Sequence, residues 1–251
     1  MKASSLAFFA AVSVSFNVWA LPGSHSPFFP EEDYTLSLGS CSTSRDVTNN
    51  HPPEGVVSFW RGRQKLNLTM VDGHYVARVY SEAKPASEAV HIRVPATMPF
   101  DVLEEAVCAD LNQDGRVDWV ITLWLHGNGF GANYHQRLIV LSAGDQYRFW
   151  VVPTMWPGAE DFVTFGQLAR VVMVTTSWVN TGNATVSGHS YYVYDLWTFR
   201  DGSIVSANEV DARFPKWVWM TFRENHKPAR SLPETLQRKL RQDRIGPQEA
   251  L

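Results

Sequence analysis

Asp110-Leu111-Asn112-Gln113-Asp114-Gly115-Arg116-Val117-Asp118 spells DxNxDGxxD. Asp110, Asn112, Asp114 and Asp118 place oxygen-bearing side chains at loop positions 1, 3, 5 and 9. In a tightly coiled loop alternate side chains turn inward, so these oxygens can converge on one ion. Gly115 at position 6 permits a sharp turn that a β-carbon would hinder. The ligand at position 7 would be the main-chain carbonyl of Arg116. Hard oxygen donors in this number suit calcium. Zinc asks for His or Cys, and the loop contains neither. The plainer reading of the same residues is a turn with solvated acids. The expectation is bound Ca2+ with a structural role, tying two strands together.

An EF-hand does not fit. Position 12 is Ile121, where an EF-hand needs a bidentate Glu. The chain also runs directly into a strand pattern, Trp119-Val120-Ile121-Thr122-Leu123, rather than into a helix. Over Val107–Ile121 this resembles the FG-GAP/VCBS class of calcium loops found in integrin-like β-propellers. In that class a DxNxDGxxD loop joins two strands of a blade. Here the motif occurs once, whereas the family usually repeats it. The resemblance thus implies a small irregular propeller-like array or a β-sandwich. Small exported proteins with a single loop of this kind also resemble periplasmic inhibitor or immunity proteins, which neutralise cell-wall hydrolases. On that analogy a loop near the ion, His126–Asn133, is the expected partner loop, with His126, Asn128, Phe130 and Asn133 at its face.

Other chemistry-bearing residues point nowhere as specific. Gly188-His189-Ser190-Tyr191-Tyr192 lacks the closing glycine of a nucleophile elbow and leads into a strand pattern. The eight histidines are scattered, with no HExxH. Glu104-Glu105 and Glu160-Asp161 are neighbours, and neighbours on a strand point to opposite faces. Gly127-Asn128-Gly129-Phe130-Gly131 is not followed by a helix pattern and reads as a wide turn or a recognition loop. No catalytic residue is expected. Trp217 and Trp219 alternate on one strand and share a face, as a core strand or an aromatic ledge. Arg213–Arg244 holds nine Lys/Arg against three Asp/Glu, a solvated basic surface or a contact for an acidic partner.

Positioning these groups falls to short strands. Gly55–Trp60, Gln64–Met70, His74–Tyr80, Ala89–Val94, Val102–Cys108 and Trp119–Leu125 are β-branched and aromatic runs. Arg137–Leu141, Tyr147–Val152, Arg170–Ser177, Tyr191–Phe199 and Lys216–Phe222 continue the series. Val71-Asp72-Gly73 and Arg200-Asp201-Gly202 are turns between them. Val171-Val172-Met173-Val174 is apolar on both faces, as in a strand covered on both sides. Leu232, Leu236 and Leu240 recur every four residues behind Ser231-Leu232-Pro233-Glu234, which predicts a short amphipathic helix over about 232–243. The fold class is all-β, mostly antiparallel.

Met1–Ala20 carries Lys2, an apolar stretch and small residues at Val18 and Ala20, the arrangement of a secretory signal peptide. The mature chain is expected to run as an extended segment over 21–50 and a single β-rich domain over 51–251. Export would make a disulfide between Cys41 and Cys108 plausible, the alternative being two buried thiols. No later segment has the length and apolarity of a membrane span.

The composition is that of a folded globular protein and does not by itself name a function. The chain has 251 residues, 45% hydrophobic and 19% charged. A net charge of −3 argues against a non-specific nucleic-acid binder. The expected function is that of an exported, periplasmic or extracellular, calcium-binding and protein-binding module rather than an enzyme. Its expected partner is a cell-wall hydrolase or another envelope protein. The rivals are a glycan-binding or glycan-hydrolysing envelope enzyme and a passive calcium-stabilised adhesion module.

Overall fold

The computed structural model describes residues 39–46, 56–71, 74–81, 90–95, 102–124, 133–158, 161–165, 170–180, 190–212, 214, 218–221 and 246–249. Among the described residues sixteen strands and one helix run in the order β1 Gly39–Ser40, β2 Ser42–Asp46, β3 Val56–Arg61, β4 Gln64–Val71, β5 His74–Ser81, β6 Val90–Pro95, β7 Val102–Ala109 and β8 Asp118–Trp124. There follow β9 Tyr134–Ala143, β10 Gln146–Met155, β11 Phe162–Phe165, β12 Arg170–Asn180, β13 Ser190–Arg200 and β14 Ser203–Ser206. The helix α1, Ala207–Val210, then precedes β15 Val218–Thr221 and β16 Gln248–Glu249. All pairings are antiparallel.

The strands form three sheets. One has the order β2-β3-β4-β5-β6, one β1-β7-β8-β9-β10-β16, and one β11-β12-β13-β14 with β15 also on β13. The described residues form no closed barrel or propeller. The sheets instead stack face to face, with the six-stranded sheet in the middle. Phe59, Leu66, Leu68, Ala77 and Val79 of the first sheet meet Trp119, Ile121, Leu138, Val140 and Phe149 of the central one. The opposite face of the central sheet, through Val120, Ile139, Leu141, Trp150 and Val152, meets Val171, Met173 and Phe199 of the third. Beyond the third sheet, Val172, Val174 and Leu196 are covered by Ala207 of α1 and by Phe214. This explains the runs that are apolar on both faces. Strand side chains alternate between faces, and β8, β9 and β12 each have a neighbour on both.

Turn chemistry sets the registers. Asp201 (φ 50°) and Gly202 (φ 73°) are both left-handed, as a two-residue I′ hairpin requires, and they close Arg200 onto Ser203. Val71 pairs with His74 across the expected Asp72-Gly73 turn. Gly202 is also a point of close approach: a β-carbon there would stand 2.5 Å from Ala143 Cβ. Trp150 Nε1 donates to Gly202 O at 2.9 Å, so the β13–β14 turn is fastened to the end of the β9–β10 hairpin.

The 21–50 segment, expected to be extended over the surface, contributes β1 and β2, which join different sheets. Gly39 pairs with Cys108, and Ser42 pairs with Trp60. Between them Cys41 is bonded to Cys108, with Cα atoms 5.3 Å apart. The disulfide therefore sits where the chain crosses from the central sheet to the first. The pattern also missed β11, β14 and β16, which are two to four residues long and have no period to read. The expected helix over 232–243, the signal segment 1–20 and most of the basic stretch lie outside the described residues. Among the described residues no helix is long and apolar enough to cross a membrane.

Candidate metal centre

The 110–118 loop joins β7 to β8, with Ala109 paired to Asp118 at its base. It is thus a strand-to-strand connection, as the sequence predicts. Its own side chains hold its shape. Asp110 Oδ1 accepts from the Asp114 N–H at 3.0 Å, and Asp110 Oδ2 from the Gly115 N–H at 2.8 Å. Asn112 Oδ1 accepts from Asp114 N–H at 3.2 Å, and Asp114 Oδ1 from Arg116 N–H at 2.9 Å. Gln113 (φ 61°) and Gly115 (φ 82°) supply two left-handed turns. Nothing lies within 4 Å of the β-carbon that Gly115 lacks, so the backbone angle rather than space calls for glycine there.

Asp118 differs from the other acids. It is fully buried, whereas Asp110 and Asp114 are exposed. Its Oδ2 accepts from the Leu111 N–H at 2.7 Å and the Asn112 N–H at 3.3 Å. Its Oδ1 accepts from the Ser142 N–H at 2.7 Å and stands 2.8 Å from Ser142 Oγ. Burial nevertheless pushes its pKa up from 3.8 to about 6, against the opposing pull of these hydrogen bonds.

Ser142, near the end of β9, is the residue that the sequence reading missed. Its main chain and side chain bind Asn112, Asp114 and Asp118 together. Asn112 Nδ2 donates to Ser142 O at 2.6 Å, which turns Asn112 Oδ1 toward the loop interior. Asp114 Oδ2 is 2.8 Å from Ser142 Oγ, the same hydroxyl that contacts Asp118. The only sequence signal was a lone serine between the apolar run Leu138–Leu141 and a glycine turn.

One hydroxyl carries one hydrogen and can donate it to only one of the two carboxylates. The other contact sets a carboxylate oxygen against a lone pair of the hydroxyl, and a cation beside it would relieve that; Asn112 Nδ2 also donates to Asp114 Oδ2, at 3.4 Å. Among the described residues no Lys, Arg or His pairs with Asp110, Asp114 or Asp118. The guanidinium of Arg116 lies instead over the Tyr147 ring, 5.4 Å from its centroid. Among the described residues no three His, Cys, Asp or Glu side chains converge into a group that would hold an ion by themselves. An ion here would also draw on Asn112 Oδ1 and the Arg116 carbonyl. This all-oxygen donor set with uncompensated carboxylates fits calcium in its chemistry.

A second polar group is buried between the central and third sheets. Thr122, His135, Arg137, Thr154 and Thr175 continue the faces that elsewhere carry Val120, Ile139, Val152 and Met173. Arg137 is 1% exposed, and its Nη2 lies 2.7 Å from Asp161 Oδ2 and 2.9 Å from Gly158 O. Its guanidinium rests over Phe162, 5.0 Å from the ring centroid. Asp161 Oδ2 also accepts from the Gly158 N–H at 3.1 Å. This arrangement ties Gly158 and Asp161 to β9. Ser190 opens β13 rather than a helix, so it does not sit in a nucleophile elbow.

Of the expected partner loop, only Asn133 is among the described residues; His126, Asn128 and Phe130 lie outside them. Asn133 O accepts from the Trp156 N–H at 3.2 Å. Trp156 has φ 46° and is 37% exposed, the one large hydrophobic side chain so exposed among the described residues. Compared with family models, curated proteins and solved structures, the chain matches none of them.

Proposed function

We propose that this chain is a calcium-binding β-protein that acts by recognition, with the ion in a structural role. The Asp114–Ser142–Asp118 contact carries the reading. Two carboxylates share one hydroxyl hydrogen, with no cation paired to them among the described residues. Asp110, Asn112, Asp114, the Arg116 carbonyl and Asp118 would hold the ion. It would neutralise the acids and tie the β7–β8 connection to β9 through Ser142. The Cys41–Cys108 disulfide, two residues before Asp110, fastens the same corner and favours an exported, oxidising setting. Support for recognition comes from Trp156, exposed and held beside Asn133 at the end of the expected partner loop. A cell-wall hydrolase or other envelope protein is the partner class proposed for that face.

The test is a thermal melt of the chain without residues 1–20, with calcium, with EGTA and with calcium restored, beside metal analysis of the same sample. A reversible fall in melting temperature on chelation, absent in Asp114→Asn, is expected. No change together with an empty site by metal analysis would overturn the reading.

A further inference from the structure

Arg116 is the one cationic residue inside the 110–118 loop, two residues from Asp114 and two from Asp118. A free guanidinium there would be drawn to these carboxylates and would compete with an ion for them. Arg116 instead lies over the Tyr147 ring, 5.4 Å from its centroid, as a cation on a π face. The acids make their hydrogen bonds to main-chain N–H groups, to Asn112 and to Ser142.

The β9–β10 register puts Tyr147 in place for this. Tyr147 stands directly opposite Ser142, so the two side chains leave the sheet on one face. Ser142 is the residue that holds Asp114 and Asp118. Tyr147 is 8% exposed and packs on Trp119, with ring centroids 5.4 Å apart, so its position is set by the core. Burial raises its pKa, Arg116 opposes that rise, and Asp118 and Asp114 add to it, so the phenol stands in the field of all three charges. Its hydroxyl is buried without a hydrogen-bond partner, which costs stability. The useful part of the side chain is therefore the ring.

We infer that Tyr147 is a positioning residue of the calcium site: its ring holds the Arg116 guanidinium off Asp110, Asp114 and Asp118 and keeps these carboxylates for the ion. The inference rests on the calcium reading and names the residue that protects its ligands.

Calorimetric titration of calcium into calcium-free protein tests it, with the parent beside Tyr147→Phe, Tyr147→Leu, Arg116→Met and the double variant Tyr147→Leu/Arg116→Met. Tyr147→Leu is expected to bind calcium about five- to tenfold more weakly, because the released guanidinium competes for the carboxylates. Tyr147→Phe keeps the ring and is expected to bind as the parent does. Arg116→Met keeps the main-chain carbonyl and removes the competitor, so it is expected to bind at least as tightly as the parent. In that background Tyr147→Leu is expected to change the affinity by less than about twofold, a coupling that lost packing alone would not produce. Melts of each variant in calcium-free buffer check the fold. Arg116→Met, at a half-buried loop position, tests the inference even where Tyr147→Leu folds poorly. Four results would overturn the inference and leave the calcium reading standing: a weaker Arg116→Met, a Tyr147→Leu that binds as the parent does, a Tyr147→Phe as weak as Tyr147→Leu, or an equal loss from Tyr147→Leu with and without Arg116. No binding by the parent would overturn the calcium reading and this inference with it.

Discussion

Asp114 and Asp118 meet on a single hydroxyl. Asp114 Oδ2 and Asp118 Oδ1 each lie 2.8 Å from Ser142 Oγ. One of these acids stands in water and the other is fully buried. The exposed acid can shed its excess charge to solvent. The buried one has no such outlet, which is why burial outweighs its hydrogen bonds and lifts its pKa to about 6.

Acidification should therefore favour the chelated protein at this position. In the unfolded chain the Asp118 carboxyl titrates near 3.8, and in the fold near 6. The fold holds the proton more tightly, so the contribution of Asp118 is most favourable below about 3.8. It declines as pH rises to about 6 and is flat above. A rise of about two units corresponds to about 3 kcal/mol. With protein freed of calcium beforehand and kept in calcium-free buffer, urea titrations of the parent and Asp118→Asn should show the parent losing about that much relative to the variant between pH 4 and pH 7. A difference that does not vary with pH would be the contrary result.

The disulfide should contribute through the unfolded chain. Cys41 and Cys108 are 67 residues apart, and for such a loop the chain-entropy model gives about 4 kcal/mol, before any strain. The double variant Cys41→Ser/Cys108→Ala should unfold in urea with about 2–4 kcal/mol less stability. Stability equal to the parent would mean that β1 and β2 dock without the bond.

Much of this architecture was legible because strands carry period-two signals. β4, β5 and β13 appear in the sequence within one or two residues of their ends, since β-branched and aromatic runs stop at turn residues. The 110–118 motif was legible for a similar reason: its donors are close in sequence, so spacing alone brings Asp110, Asn112 and Asp114 together. Ser142 was not, because it reaches Asp118 from 24 residues away and only the β8–β9 register brings it there. β1 and β16 are two residues long and owe their pairing to neighbours, so no sequence period marks them.

Two glycines should separate backbone angle from space. Gly115 has φ 82° with open space around its missing β-carbon, so Gly115→Ala should cost only the left-handed strain, about 1–2 kcal/mol. Gly202 has φ 73° and would put a β-carbon 2.5 Å from Ala143 Cβ and 3.3 Å from Arg148 Cδ. Gly202→Ala should cost that strain plus about 1–3 kcal/mol of overpacking. Chemical denaturation of both in calcium checks the order. A Gly115→Ala variant less stable than Gly202→Ala would contradict the packing of the β13–β14 turn on the β9–β10 hairpin.

Arg137 and Asp161 should behave as a buried pair whose halves cannot be removed singly. Arg137 is 1% exposed, and two of its nitrogens, Nε and Nη1, already lack a hydrogen-bond partner. Its charge is answered by Asp161 at 2.7 Å and by the Phe162 ring beneath it. Asp161→Ala strands that charge among threonines and aromatics, and should cost about 3–5 kcal/mol in urea denaturation. Arg137→Met combined with Asp161→Leu removes both charges while filling much of the volume, and should recover a large part of the loss. A double variant no more stable than Asp161→Ala would mean that the Gly158 contacts, rather than the charge pair, hold this corner to β9.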